Sequence, residues 1–186
     1  MKSYVDKLMN SIKYVPDETL SVYIELLVEA FNRRAQIFIV GNGGSAATAS
    51  HFATDLNKIK NINGLPGRAI SLCDNSSLIT AYANDISFDS IFKGQLENLA
   101  NSKDILIAIS ASGKSKNIIE AIRYAKKNDI YSVGLVGFDA GNMNICDLVI
   151  HTKSELGDYG PTEDAHSIIC HYTTEELKYR LNLKSD

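Results

Sequence analysis

Apolar residues along this chain alternate between a helical period and short unbroken runs. Tyr4, Leu8 and Ile12 recur every four positions, which predicts a short amphipathic helix over 1–10 that Pro16 interrupts. Leu20, Tyr23, Ile24, Leu27 and Ala30 then share one face of a second helix, capped by Asp17 and running to about Arg34. The run 35–40, Ala-Gln-Ile-Phe-Ile-Val, is rich in β-branched residues and stops at Gly41, so it reads as a buried strand. Further strands are predicted over 67–72, 104–109, 131–136 and 148–151. Helices are predicted over 45–57, 75–83, 88–99 and 117–127, with a long closing helix over 162–181. Strands and helices alternate almost throughout, which implies an α/β fold with a parallel sheet covered by helices on both faces. No repeat, low-complexity tract or linker divides the chain, so a single domain, 1–186, is expected.

In such sheets ligands sit at the carboxyl ends of strands. Two Gly/Ser-rich turns fall at such ends. The turn Ser110-Ala111-Ser112-Gly113-Lys114-Ser115 joins a strand to a helix. Three hydroxyls, a glycine and the unpaired first amides of the next helix suit a phosphate monoester. The spacing is not that of a nucleoside-triphosphate loop. The turn Gly41-Asn42-Gly43-Gly44-Ser45, continued by Ala46, satisfies the dinucleotide pattern G-x-G-x-x-[GA]. A nicotinamide site also needs an acidic residue about 20 positions on, at the end of the second strand. The available Asp74 lies 33 positions after Gly41, so no nucleotide cofactor is expected. A backbone that approaches a sugar fits better, with Asn42 and Ser45 as side-chain contacts.

Composition narrows the classes. The 186 residues are 45% hydrophobic and 22% charged, an ordinary soluble balance. No apolar run approaches the length of a bilayer span, and the N-terminus lacks a signal-peptide pattern, so a cytoplasmic protein without a membrane partner is expected. A net charge of −3 with no basic stripe argues against nucleic acid as partner. Cys73, Cys146 and Cys170 are odd in number and widely spaced, suggesting buried free thiols. His51 and Asp55, four apart on a helix, share one face. Glu163 and His171, eight apart, are separated by about 80° around the closing helix, whereas His166 lies about 140° from His171 and points elsewhere. Should both helices face the strand ends, two histidines and two carboxylates converge in a set that suits zinc or metal-free acid–base chemistry.

The ordered combination Gly41-Asn-Gly-Gly-Ser45, His51-Phe-Ala53, Asn84-Asp85, Ser110-Ala-Ser-Gly-Lys-Ser115, and His166 with His171 resembles the SIS (sugar isomerase) family, and within it the phosphoheptose isomerases. The resemblance runs from about Ala35 to Tyr172. It implies a three-layer fold, a five-stranded parallel sheet between helices, with N-terminal helices and a long C-terminal helix. It also implies a homotetramer with active sites where subunits adjoin. Asn42, Gly43, Gly44, Asn84 and Asp85 would contact the sugar, and Ser110, Ala111, Ser112 and Ser115 its phosphate. His171 would match the catalytic histidine, and His51 and His171 two zinc ligands of metal-binding members. The family's catalytic glutamate is replaced here by Asp55, whose carboxylate sits about 1.3 Å further back. A glutamine ligand is replaced by Glu163, which would join the substrate site and the metal set of His51, Asp55 and His171. Either Asp55 or Glu163 is the base on this reading. The implied reaction is aldose–ketose isomerisation of sedoheptulose 7-phosphate to D-glycero-D-manno-heptose 7-phosphate through an enediol(ate), for lipopolysaccharide or capsule precursors. The alternative is a non-catalytic SIS protein that binds a sugar phosphate or a replication-initiator partner.

Overall fold

The computed structural model describes residues 1–61 and 63–182; the other positions of the expected 1–186 domain lie outside the described residues. The elements are α1 (Lys2–Lys13), α2 (Asp17–Arg33), β1 (Ile37–Val40), α3 (Gly44–Lys58), β2 (Ala69–Ser71), α4 (Ser76–Asp85), α5 (Lys93–Leu99), β3 (Ile105–Ser110), α6 (Lys116–Lys127), β4 (Tyr131–Val136), β5 (Leu148–His151) and α7 (Tyr159–Asn182). The five strands form one sheet in the order β2-β1-β3-β4-β5, and every pairing is parallel. This is the expected three-layer α/β architecture.

Strand composition explains the layers. All six residues of β3 are buried, as are all four of β1, because helices cover both faces. Alternate side chains serve opposite cores. Ile37, Ile39, Ile105, Ile107 and Ile109 pack with α2, α3 and α7. Phe38, Val40, Leu106 and Ala108 pack with α5 and α6. The strand order reverses direction between β1 and β3, whose pairing runs from Ile37↔Ile105 to Val40↔Ala108. That reversal opens the crevice in which doubly wound sheets bind ligands. The glycine turn leaves β1 and the serine turn leaves β3, so the two turns line that crevice from either side.

Three expectations are corrected. Asp17 is not the cap of α2 but its first residue; Pro16 occupies the cap in extended geometry, and Asp17 and Glu18 place negative charge at the positive helix end. The helix predicted over 88–99 divides into a 3-10 turn, Phe88–Ser90, and α5. The break lets adjacent Ile91 and Phe92 both reach the core, and it brings Gly94 so close to the Tyr82 ring that a Cβ there would collide with it. The closing helix starts three residues early, because Pro161 is tolerated in its first turn.

His166 is completely buried and faces β5, away from His171, as the helical wheel implies. Thr152 Oγ1 donates to the Val136 carbonyl at 3.1 Å, so it accepts from His166 Nε2 at 3.0 Å. The imidazole is therefore the Nε2–H tautomer, and its Nδ1 has no partner among the described residues. A protonated ring would leave an N–H unpaired in the core, and burial pushes the His166 pKa down to about 4. The unfolded chain thus takes up a proton that the folded chain refuses. This stabilisation is full above about pH 6.5 and is lost as pH falls towards 4, up to about 3 kcal/mol. Denaturant midpoints measured across that range should drop more steeply for the parent than for His166→Asn. Parallel profiles would contradict this assignment.

Candidate active site

The serine turn is built to leave hydroxyls available. Gly113 has φ +62°, and a Cβ there would collide with the Ala140 carbonyl and approach Met143 Cγ to 2.9 Å. Only glycine meets both conditions. We expect Gly113→Ala to cost about 2 kcal/mol or more of folding stability, read from the denaturant midpoint; an unchanged midpoint would show that the turn adapts. Ser110 is buried, and its Oγ accepts the Gly113 amide at 3.1 Å, which braces the loop from beneath. Ser112 Oγ accepts the Lys114 amide at 3.3 Å. Ser115 is the N-cap of α6, yet its side chain makes no capping hydrogen bond. The half-buried Ser112 and Ser115 therefore stand beside the first amides of α6, which have no intrahelical carbonyls to meet. Lys114 turns outward and pairs with Asp139 at 3.0 Å.

The glycine turn is shaped by close approaches. Gly43 adopts φ +55° with open space where a Cβ would stand. The Gly43 carbonyl accepts the amides of Ala46 and Ala47, which starts α3. Gly44 lies directly against the Glu163 carboxylate, where a Cβ would stand 2.5 Å from Oε1. Ser45 is only 5% exposed, so its side chain is nearly closed off. The Asn42 side chain is turned inward onto Asn117.

α3 and α7 run side by side in the same direction, and their facing residues form successive rungs. Glu163 meets Gly44, Ser167 Oγ lies 3.4 Å from Thr48 Oγ1, and the His171 ring meets His51 at 5.1 Å, edge to face. One turn further on, Asp55 Oδ2 lies 3.4 Å from His51 Nε2. Ligand atoms of His51, Asp55 and His171 all lie within 4.8 Å of one another. Two imidazoles and one carboxylate form a donor set that fits zinc with a position left open. Within one chain Glu163 stands apart from these three. It stands two helical turns from His171, about 12 Å along the axis, with its carboxylate beside Gly44. The cluster is open to water: the His51 side chain is 60% exposed and that of Asp55 20%.

Asn84 and Asp85 close α4 at the surface, and Asn84 Nδ2 donates to Asp85 Oδ1 at 2.8 Å. No hydrogen bond among the described residues ties them to either turn. The next residues, Ile86 and Ser87, share a cleft of about 540 Å³ with Lys114 and Lys116, so the end of α4 approaches the serine turn from outside. Asn117 went unnoticed in the sequence. Its signal was a lone amide on the buried stripe of α6, alongside Ile118, Ala121, Ile122 and Ala125.

The chain has relatives among known proteins. The family described as SIS domain matches residues 2–137. A phosphoheptose isomerase from Campylobacter concisus is 38% identical over 154 residues, covering 82% of this chain and 80% of its own. Phosphoheptose isomerase 1 from Campylobacter jejuni is 41% identical over 150 residues, covering 79% of this chain and 78% of its own. The solved phosphoheptose isomerase of Neisseria gonorrhoeae superposes with a TM-score of 0.84 at 27% identity, over 96% of this chain and 94% of that one. The family match ends before α7, and each of the two relatives aligns over about four fifths of both partners. The chain belongs to the SIS domain family, as a relative of its phosphoheptose isomerases.

Proposed function

We propose that this enzyme interconverts sedoheptulose 7-phosphate and D-glycero-D-manno-heptose 7-phosphate through an enediol(ate). The observation that carries the reading is the meeting of His51, Asp55 and His171 across α3 and α7, on a sheet whose crevice is lined by a glycine turn and a serine turn. Ser110, Ala111, Ser112 and Ser115 hold the phosphate with hydroxyls and helix amides. Asn42, Gly43, Gly44, Asn84, Asp85 and Glu163 contact the sugar hydroxyls. Grip on the remote phosphate positions the reacting end.

Asp55 is the base. It removes the proton from C1 of the ketose, and the C–H electron pair becomes the C1=C2 bond of the enediol. The C2 carbonyl oxygen gains a proton as this happens. Return of a proton to C2 and loss of the O1 proton give the aldose. His171 moves the proton between the two oxygens. His51, Asp55 and His171 would hold zinc, which supplies Lewis acidity at the substrate oxygens when bound. Zinc per chain, measured by elemental analysis of purified protein, should be stoichiometric in the parent and should fall sharply in His51→Ala. Equal metal content in both would remove His51 from the ligand set.

The reading extends to a homotetramer acting in the cytoplasm, one domain per chain, on precursors of lipopolysaccharide or capsule. Solvent exposure of the cluster supports completion by a neighbouring copy. So does α4, which buries none of its residues and is followed by Ile86 and Phe88 at 67% and 56% exposure. Among the described residues no helix is long and apolar enough to cross a membrane. Incubation of pure protein with sedoheptulose 7-phosphate, followed by NMR, should show loss of the ketose and growth of the aldose. Binding of the ketose without any conversion would instead identify a non-catalytic sugar-phosphate protein.

A further inference from the structure

Asn42 and Asn117 form a closed pair of amides. Asn42 Nδ2 donates to Asn117 Oδ1 at 3.0 Å, and Asn117 Nδ2 donates back to Asn42 Oδ1 at 2.8 Å. The Ile118 amide donates to the same Asn117 Oδ1 at 3.0 Å, which fixes which end of the side chain is oxygen. Asn117 is 2% exposed and occupies the second position of α6, on the face that otherwise buries isoleucine and alanine. A core amide in that place is costly unless every bond is made, and here the bonds cross 75 residues of chain to the glycine turn.

The pair joins the two turns that leave β1 and β3. Gly43, next to Asn42, has positive φ and open space where a side chain would stand, so no side chain of its own pins it. Asn117 supplies a cross-link to the turn from the base of the serine turn. We propose that Asn117 is a positioning residue: through Asn42 it sets the spacing between the glycine turn and the serine turn, and hence the span across which a phosphorylated sugar is held. This rests on the reading of those turns as the holders of sugar and phosphate. Asn117 acts on the sugar end without touching substrate. Inorganic phosphate needs only the serine turn, whereas the sugar phosphate needs both.

The test compares the parent with Asn117→Ala and Asn42→Ala by hydrogen exchange and by kinetics. In Asn117→Ala, amides over residues 42–47 should exchange about tenfold faster while those of β4 and α7 keep their parent rates. The KM for sedoheptulose 7-phosphate should rise about tenfold, while the inhibition constant of inorganic phosphate moves less than about twofold. The double variant should lose no more kcat/KM than Asn42→Ala alone, because both act through one link. Unchanged exchange over 42–47, or acceleration spread evenly through the protein, would overturn the proposal. A parent-like KM would do the same. If Asn117→Ala does not fold, Asn42→Ala carries the test from the half-buried side, with faster exchange expected over 110–118. A parent protein that fails to convert the ketose defeats the isomerase reading; the exchange comparison still decides the role of Asn117.

Discussion

Replacing His171 with Gln is expected to cut turnover of sedoheptulose 7-phosphate at least about 100-fold while leaving the fold intact. His171 stands on the exposed side of α7, and its ring approaches His51 edge-on at 5.1 Å. Its neighbours Ile169 and Cys170 anchor the helix in the core, so losing the imidazole opens no cavity. Glutamine keeps a polar side chain of similar reach but does not exchange protons near neutral pH. The loss should therefore fall on kcat, with the thermal midpoint within about 2 °C of the parent. Near-normal turnover by a pure, folded sample would remove His171 from the chemistry.

Asp55→Asn should cost about 100- to 10,000-fold, the range expected when a general base is silenced. Asparagine is nearly isosteric and keeps one acceptor oxygen towards His51, so the change tests charge and basicity rather than packing. Glu163→Gln should cost less than about tenfold, since Glu163 lies at Gly44, two helical turns from His171. Because Asp55 also belongs to the donor set, the variants must be compared at equal zinc content. The reverse ranking, with Glu163→Gln inactive and Asp55→Asn active, would make Glu163 the base.

Much of this arrangement could be read from sequence because it rests on local patterns. The run 35–40 ending at Gly41, and its counterpart ending before Ser110, place both turns at the carboxyl ends of strands. Parallel pairing of β1 with β3 then sets the turns side by side. The His51–Asp55 pair follows from the four-residue helical repeat. Its meeting with His171 depends on α3 lying along α7, a tertiary contact that no local spacing encodes. Glu163 illustrates the limit. Its angle around α7 suited the cluster, but its height along the axis, and the space left by the missing side chain of Gly44, send it to the glycine turn. Asn117 shows a different failure. A polar residue on an apolar stripe announces a buried bond, yet its partner Asn42 lies 75 residues away on another strand's turn.

A crystal structure of the protein soaked with sedoheptulose 7-phosphate tests the central claim most directly. The phosphate oxygens are expected within hydrogen-bonding reach of Ser112, Ser115 and the first amides of α6. C1 and C2 are expected beside the carboxylate of Asp55 and the ring of His171, counting side chains from any adjoining subunit. A sugar phosphate bound with its phosphate away from residues 110–115, or with its carbonyl end remote from both those groups, would contradict it.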